Sequence, residues 1–212
     1  MSTAMADIPL IAIYADESCL GNGREGDNPG GAAGVVEFVK SSTGELSRWD
    51  YWSSEPATTN NRMALRSVID AFTLISRKGK RFRVCFTSDS QYLVNGMNEW
   101  VHGWMNRGWR RKGGPIENLE LWQEAVEVVR PHKVSWRWVR GHDGQPQNEY
   151  ADSLATHAAR ELDTSSGLVA SQFDSWLAAE RERGREHVPA PFPSSADFRP
   201  ARPFPIGVTT PE

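Results

Sequence analysis

Apolar residues fall into two kinds of run along the chain, and the difference predicts its elements. Continuous runs predict buried strands. PLIAIYAD at residues 9–16 is one, and FRVCFTSDS at residues 82–90 is another; their carboxylates, Asp16 and Asp89, close the two strands. AAGVVEFVK and GELSRWDYWSS predict two more strands joined by a turn at SSTG. Between them and the second carboxylate strand, Leu65, Val68, Ile69, Phe72 and Ile75 recur at helical spacing. Asn60 or Asn61 can cap that helix. SQYLVNGMNEWVHGWMNRG and ENLELWQEAVEVVRP predict helices, KVSWRWVRG a last strand, and NEYADSLATHAARE a helix that Asp152 opens. Three strands followed by alternating helices and strands predict an α/β fold, a mixed sheet packed by helices.

Beyond residue 163 the pattern changes. Val169, Phe173, Trp176, Leu177 and Ala178 share one face of an amphipathic helix expected over residues 163–187. Residues 188–212 are rich in proline and poor in pattern, so a disordered or extended tail is expected there. The helix either packs back onto residues 1–162 or docks a protein partner, with the tail as tether.

Charge changes the picture only locally. Residues 1–160 carry 19 acidic and 19 basic side chains, whereas residues 161–212 carry 8 and 5. The net charge of -3 therefore resides in the tail, and any nucleic-acid surface must be a local basic patch. The densest such patch is Arg107, Arg110, Arg111 and Lys112. Two cysteines, Cys19 and Cys85, make no disulfide framework, and no Cys/His spacing suggests zinc. The N-terminus lacks a basic signal region and its apolar run is too short to span a bilayer, so cytoplasmic residence is expected. The chain is expected to act as a monomer.

GNGREG, residues 21–26, fits the glycine-rich dinucleotide fingerprint. That fingerprint needs a helix to begin inside it, and here the loop runs on into β-rich sequence. The stretch is a turn-rich loop. The aspartates are more informative. Asp16 and Asp89 each end an apolar strand, where neighbouring strand ends bring side chains together. Clustered carboxylates repel unless a cation compensates them, and hard oxygen ligands suit Mg²⁺ or Mn²⁺.

The words YADESCLGN, TTNNRMAL, TSDSQYLVNG, WVHGWMNRGW, NLELWQ and WVRGHDGQPQNEYADSLA occur in one order over residues 9–160. In these words the chain resembles type 1 ribonuclease H, the family that cuts the RNA strand of RNA–DNA hybrids. The resemblance implies a five-stranded mixed sheet flanked by helices, with two Mg²⁺ or Mn²⁺ ions per substrate-bound site. It implies that Asp16, Asp89 and Asp152 are metal ligands and that His142 assists protons or product release. It implies that Asn22, Thr59, Asn60, Asn61 and Gln91 contact the hybrid, and that Asn118 helps hold a DNA-strand phosphate with Thr59. WVHGWMNRGWRRK would be a basic protrusion gripping the hybrid, with Trp100 and Trp104 either contacting it or packing the helix.

Two departures from the family fall in one place. Its fourth acid, a glutamate, is replaced by Ala64, and the glycine after its first aspartate is replaced by Glu17. The reading that accounts for both is relocation: Glu17 supplies the missing carboxylate. Adjacent residues of a strand point to opposite faces, so the chain is expected to turn at Glu17. A Glu17 carboxylate aimed away from Asp16 would sink this reading. The alternative is a hybrid-binding protein or scaffold with a decayed site.

Overall fold

The computed structural model describes residues 8–21, 28–141 and 143–205. Three long strands come first: β1 (Leu10–Cys19), β2 (Gly30–Val39) and β3 (Leu46–Glu55). They form an antiparallel meander, and β1 also pairs in parallel with β4 (Arg83–Ser88). Strand β5 (Lys133–Trp138) extends the parallel half. The helices are α1 (Asn60–Ile75), α2 (Gln91–Asn95), α3 (Val101–Asn106), α4 (Leu119–Val129), α5 (Pro146–Glu161) and α6 (Phe173–Glu182).

The sheet has six strands rather than five. Val169–Ala170 pairs with β3 as a short β6, giving the order β5-β4-β1-β2-β3-β6. The helix expected to include Val169 therefore begins only at Phe173.

Strand alternation sorts β1 between two cores. Ile11, Ile13 and Ala15 face α1, where Leu65, Val68 and Phe72 are wholly buried, each such side chain contributing about 2 kcal/mol. Ala12 and Tyr14 face α5 and α6, meeting Tyr150, Phe173 and Leu177. A β-carbon on Gly31 would overlap the Ala155 carbonyl, so α5 can lie this close to β2 only over glycine.

Helix α1 is capped by Thr59, whose hydroxyl accepts the Arg62 N–H at 3.4 Å, and not by either asparagine. Its N-terminus is tied to the Cys19 end of β1: Thr58 N–H donates to Asn28 O at 2.9 Å, and Cys19 Sγ to Thr58 O at 3.5 Å. Helices α2 and α3 are joined through a π turn, Gly96–Trp100. A β-carbon on Gly96 would overlap the Trp122 ring, which explains the glycine.

Two buried acids anchor the tail side of the sheet. Glu37 pairs with Arg48 at 2.7 Å, and Arg48 also meets Asp174 at 3.0 Å and lies over the Phe173 ring. Asp50 accepts the Tyr150 hydroxyl at 2.5 Å and the Gln172 N–H at 3.1 Å. Residues 188–205 carry no helix or strand but lie against the domain. Ala201 N–H bonds Val134 O at 2.7 Å along β5, Phe198 is buried near Arg83, and Phe204 packs on His102. This covers part of a sheet edge that would otherwise offer free backbone groups.

Candidate active site

Register brings the first two acids level. Tyr14 pairs with Thr87 across parallel β1 and β4, and Asp16 and Asp89 each lie two residues further on. Strand β4 ends at Ser88, so Asp89 stands just past the sheet, at the start of α2. Asp16 is buried and held in place twice: its Oδ1 accepts the Glu17 N–H at 2.7 Å, and its Oδ2 accepts the Asn148 amide at 3.1 Å.

Glu17 does reach the same place, but not by the expected turn. Strand β1 runs straight through it to Cys19, with Glu17 opposite Ala32 and Asp16 opposite Ala33. Alternation puts Glu17 on the α1 face with Ala15, the face where Ala64 is buried without exposure. Strand β4 has ended at Ser88, one residue before Asp89, so no strand residue of β4 lies beside Glu17. Oxygens of Asp16, Glu17 and Asp89 all lie within 4.8 Å of one another. The acid absent at Ala64 is thus matched by one arriving from the same side of the sheet.

The electrostatics of this cluster are unfavourable. Burial, then the charges of Asp89 and Glu17, push the Asp16 carboxyl up to about 10. Burial, then Asp89, push Glu17 up to about 8. What lowers them is the Glu17 N–H for the first and the Ser90 hydroxyl for the second, not a lysine or arginine. Glu17 Oε2 is shut off from solvent with no hydrogen-bond partner. An unpaired buried carboxylate oxygen beside two other carboxylates fits a hard divalent cation.

Asp152 is placed differently. It sits in the second turn of α5 rather than opening the helix, and it is outside the group within 4.8 Å. Its Oδ1 accepts from Thr156 at 3.5 Å, and its charge raises both Asp16 and Glu17, so it borders the cluster. Asn148 is the residue that sequence reasoning missed. It lies four positions before Asp152, hence on the same helix face, and that spacing was the available signal. Gly141 is a further silent contributor: a β-carbon there would overlap Asp89 Oδ2. His142 and Asn22 lie outside the described residues.

Thr59, Asn60 and Asn61 stand at the N-terminus of α1 and Gln91 at that of α2, all at the acid end of the sheet. Arg107, Arg110, Arg111 and Lys112 are exposed on the segment after α3. Asn118 has a left-handed backbone, φ 55°, and its amide donates to the Tyr92 hydroxyl at 3.3 Å. Of the two roles left open for the tryptophans, packing is what Trp104 does: it is buried against Trp122, while half-buried Trp100 packs on Tyr92, Trp104 and Trp122. These rings support the basic segment from beneath.

The acids gather within β1 and just past β4 of a mixed sheet, an arrangement suited to metal-dependent nuclease chemistry. The family model described as RNase H matches residues 9–160. Ribonuclease H of Bradyrhizobium sp. (strain ORS 278) is 38% identical over 71% of this chain and 90% of its own length. Ribonuclease H of Pseudomonas putida (strain W619) is 41% identical over 72% of this chain and 95% of its own. Among solved structures, LC9-RNase H1, "a type 1 RNase H with the type 2 active-site motif", is 57% identical, with TM-score 0.88 over 94% of this chain and 95% of its own. The chain belongs to the ribonuclease H family, a family of hydrolytic nucleases.

Proposed function

We propose that this chain is a metal-dependent endoribonuclease that hydrolyses the RNA strand of RNA–DNA hybrids. The observation that carries this reading is the convergence of Asp16, Glu17 and Asp89 within 4.8 Å, with Glu17 Oε2 buried and unpartnered. These three would hold Mg²⁺ or Mn²⁺, with Asp152 close enough to add its charge. Two such ions, when bound, supply charge stabilisation for the attacking and leaving oxygens of an in-line displacement at phosphorus.

The protein's own residues do the rest. Asn148 and the Glu17 N–H fix the direction of the Asp16 carboxylate, and Ser90 fixes that of Glu17. His142 is assigned proton handling near the scissile phosphate. Thr59, Asn60, Asn61 and Gln91, with Asn22, would meet the hybrid at the acid end. Selectivity for a hybrid would come from 2′-hydroxyl contacts in its shallow minor groove. Arg107, Arg110, Arg111 and Lys112 would bind phosphates without sequence preference, and Asn118 would join Thr59 at the DNA strand. A monomer acting in the cytoplasm completes the reading; no helix among the described residues is long and apolar enough to cross a membrane.

The test is cleavage of a labelled RNA–DNA hybrid with Mg²⁺, with Mn²⁺ and with chelator, using the natural chain and Glu17→Ala. Metal-dependent cutting of the RNA strand that Glu17→Ala abolishes is the expected result. Hybrid binding without cutting would instead mark a scaffold, and cutting that survives Glu17→Ala would refute the relocated ligand.

A further inference from the structure

The loop between β5 and α5, and the first turn of α5, border the acid cluster. Gly141 abuts the Asp89 carboxylate and Asn148 donates to Asp16. Their outer side is held by the C-terminal extension, beyond the residues that the family model matches. Three consecutive residues of α5 make three different connections. Gln147 is fully buried; its amide nitrogen donates to Ala190 O at 2.9 Å and its oxygen accepts Ala190 N–H at 3.1 Å. Asn148 turns the other way, to Asp16. Glu149 Oε1 accepts the Gly144 N–H at 3.0 Å, closing the loop back on the helix.

Glu149 is itself tied to the extension. Its Oε2 lies 3.6 Å from His187 Nε2, and that nitrogen is also 3.6 Å from Glu180. Glu180 is buried in α6 and pairs with Arg183 and Arg185 at 2.8 Å each, while the His187 ring stacks on Trp176. His187 is thus held by stacking on Trp176, and its Nε2, which makes no hydrogen bond, faces the carboxylate that holds the loop.

We propose that residues 187–190 are a working part of the active site, with Glu149 and His187 as positioning residues. By locking Gln147 and Glu149 they set where Asn148 holds Asp16 and where the loop after β5 lies. The proposal rests on the reading of Asp16, Glu17 and Asp89 as the catalytic acids. A strap that only stabilised the fold would lower the melting temperature and leave the turnover of folded molecules unchanged.

The experiment uses full-length Glu149→Ala, Glu149→Gln, His187→Ala and the Glu149→Ala/His187→Ala double variant. Steady-state cleavage of a labelled hybrid with Mg²⁺ gives kcat and KM separately, and NMR gives the exchange rate of the Gly144 amide. Glu149→Ala is expected to lower kcat about tenfold, the scale of small misplacements at a site. KM should stay within about twofold, because hybrid binding is not touched. His187→Ala should lower kcat about threefold, and the double variant should fall no further than Glu149→Ala, as one shared contact requires. Glu149→Gln, which keeps an acceptor for Gly144, should retain most of the turnover. The Gly144 amide should exchange faster in both alanine variants. Unchanged Gly144 exchange in His187→Ala, or natural kcat with only a lower melting temperature, would overturn the proposal. Failure of the natural chain to cut would sink the nuclease reading instead, and Gly144 exchange would still decide whether the extension holds the loop.

Discussion

Buried acids occur in two places on this sheet, under opposite conditions. Glu37 and Asp50, on the side of α5 and α6, are as inaccessible as Asp16, yet each meets a donor: Arg48 at 2.7 Å for Glu37, the Tyr150 hydroxyl and Gln172 N–H for Asp50. Asp16 and Glu17 also accept hydrogen bonds, from the Glu17 N–H, Asn148 and Ser90, but the charges that bear on them are those of other carboxylates. Removing one partner of a buried pair exposes the full cost of the remaining charge. In the acid cluster that cost is already present, a pattern that goes with chemistry rather than with folding.

The comparison can be broken most sharply at the cluster itself. Asp89→Asn or Asp16→Asn is expected to lower hybrid cleavage by about 10³-fold or more, since an ion's charge stabilisation is lost. The same change removes repulsion, so the metal-free melting temperature should hold or rise; a clear fall would mean the cluster is structural. Next comes an exchange of the two departures. Glu17→Gly alone should cost about 10²-fold or more in rate. Adding Ala64→Glu to it should recover part of that loss, because Ala64 lies on the same side of the sheet. No recovery in single-turnover cleavage would show that the two positions are not equivalent.

On the paired side, Arg48→Ala strands buried Glu37 and is expected to cost about 3–5 kcal/mol in denaturant unfolding, with cleavage by folded molecules unchanged. Tyr150→Phe should cost about 1–2 kcal/mol by the same measurement, leaving Asp50 one donor short. A further diagnostic effect is with pH. The folded carboxyl values are raised, from 3.8 to about 10 for Asp16 and from 4.5 to about 8 for Glu17. Between the unfolded and folded values the native chain binds more protons, so metal-free stability should fall as pH rises from about 4 to beyond 8. Thermal unfolding across that range should show the slope, and Asp16→Asn should flatten it.

How much of this could be read beforehand depends on which physical rule governed each residue. Asp89 was legible because an apolar run that ends on a carboxylate placed it just past a strand, whereas Asp16, expected to close its strand, lies inside β1, which runs three residues further to Cys19. The convergence of Glu17 was legible only as a guess. Alternation tells which face a side chain leaves from, not that the neighbouring strand has stopped at Ser88. Thr59 took the cap from Asn60 and Asn61 because its backbone is extended and its hydroxyl reaches the Arg62 N–H, a choice among three capable residues. Trp104 shows the opposite limit: a helical pattern near basic residues fits binding and packing equally, and burial against Trp122 decides it. The extension was least legible. Its proline-rich composition predicts little, whereas its order comes from single contacts with distant partners such as Gln147 and Val134.

The ring cluster beneath the basic segment has an optical consequence. Trp100, Trp104 and Trp122 have centroids 5.6 to 6.4 Å apart, with Tyr92 in contact with two of them. Indoles this close share their excited states, which gives paired bands in near-ultraviolet circular dichroism and strong energy transfer from Tyr92. Any shift of the basic segment on engaging a nucleic acid changes those signals directly. The molecule therefore carries its own unlabelled reporter of where the basic segment lies.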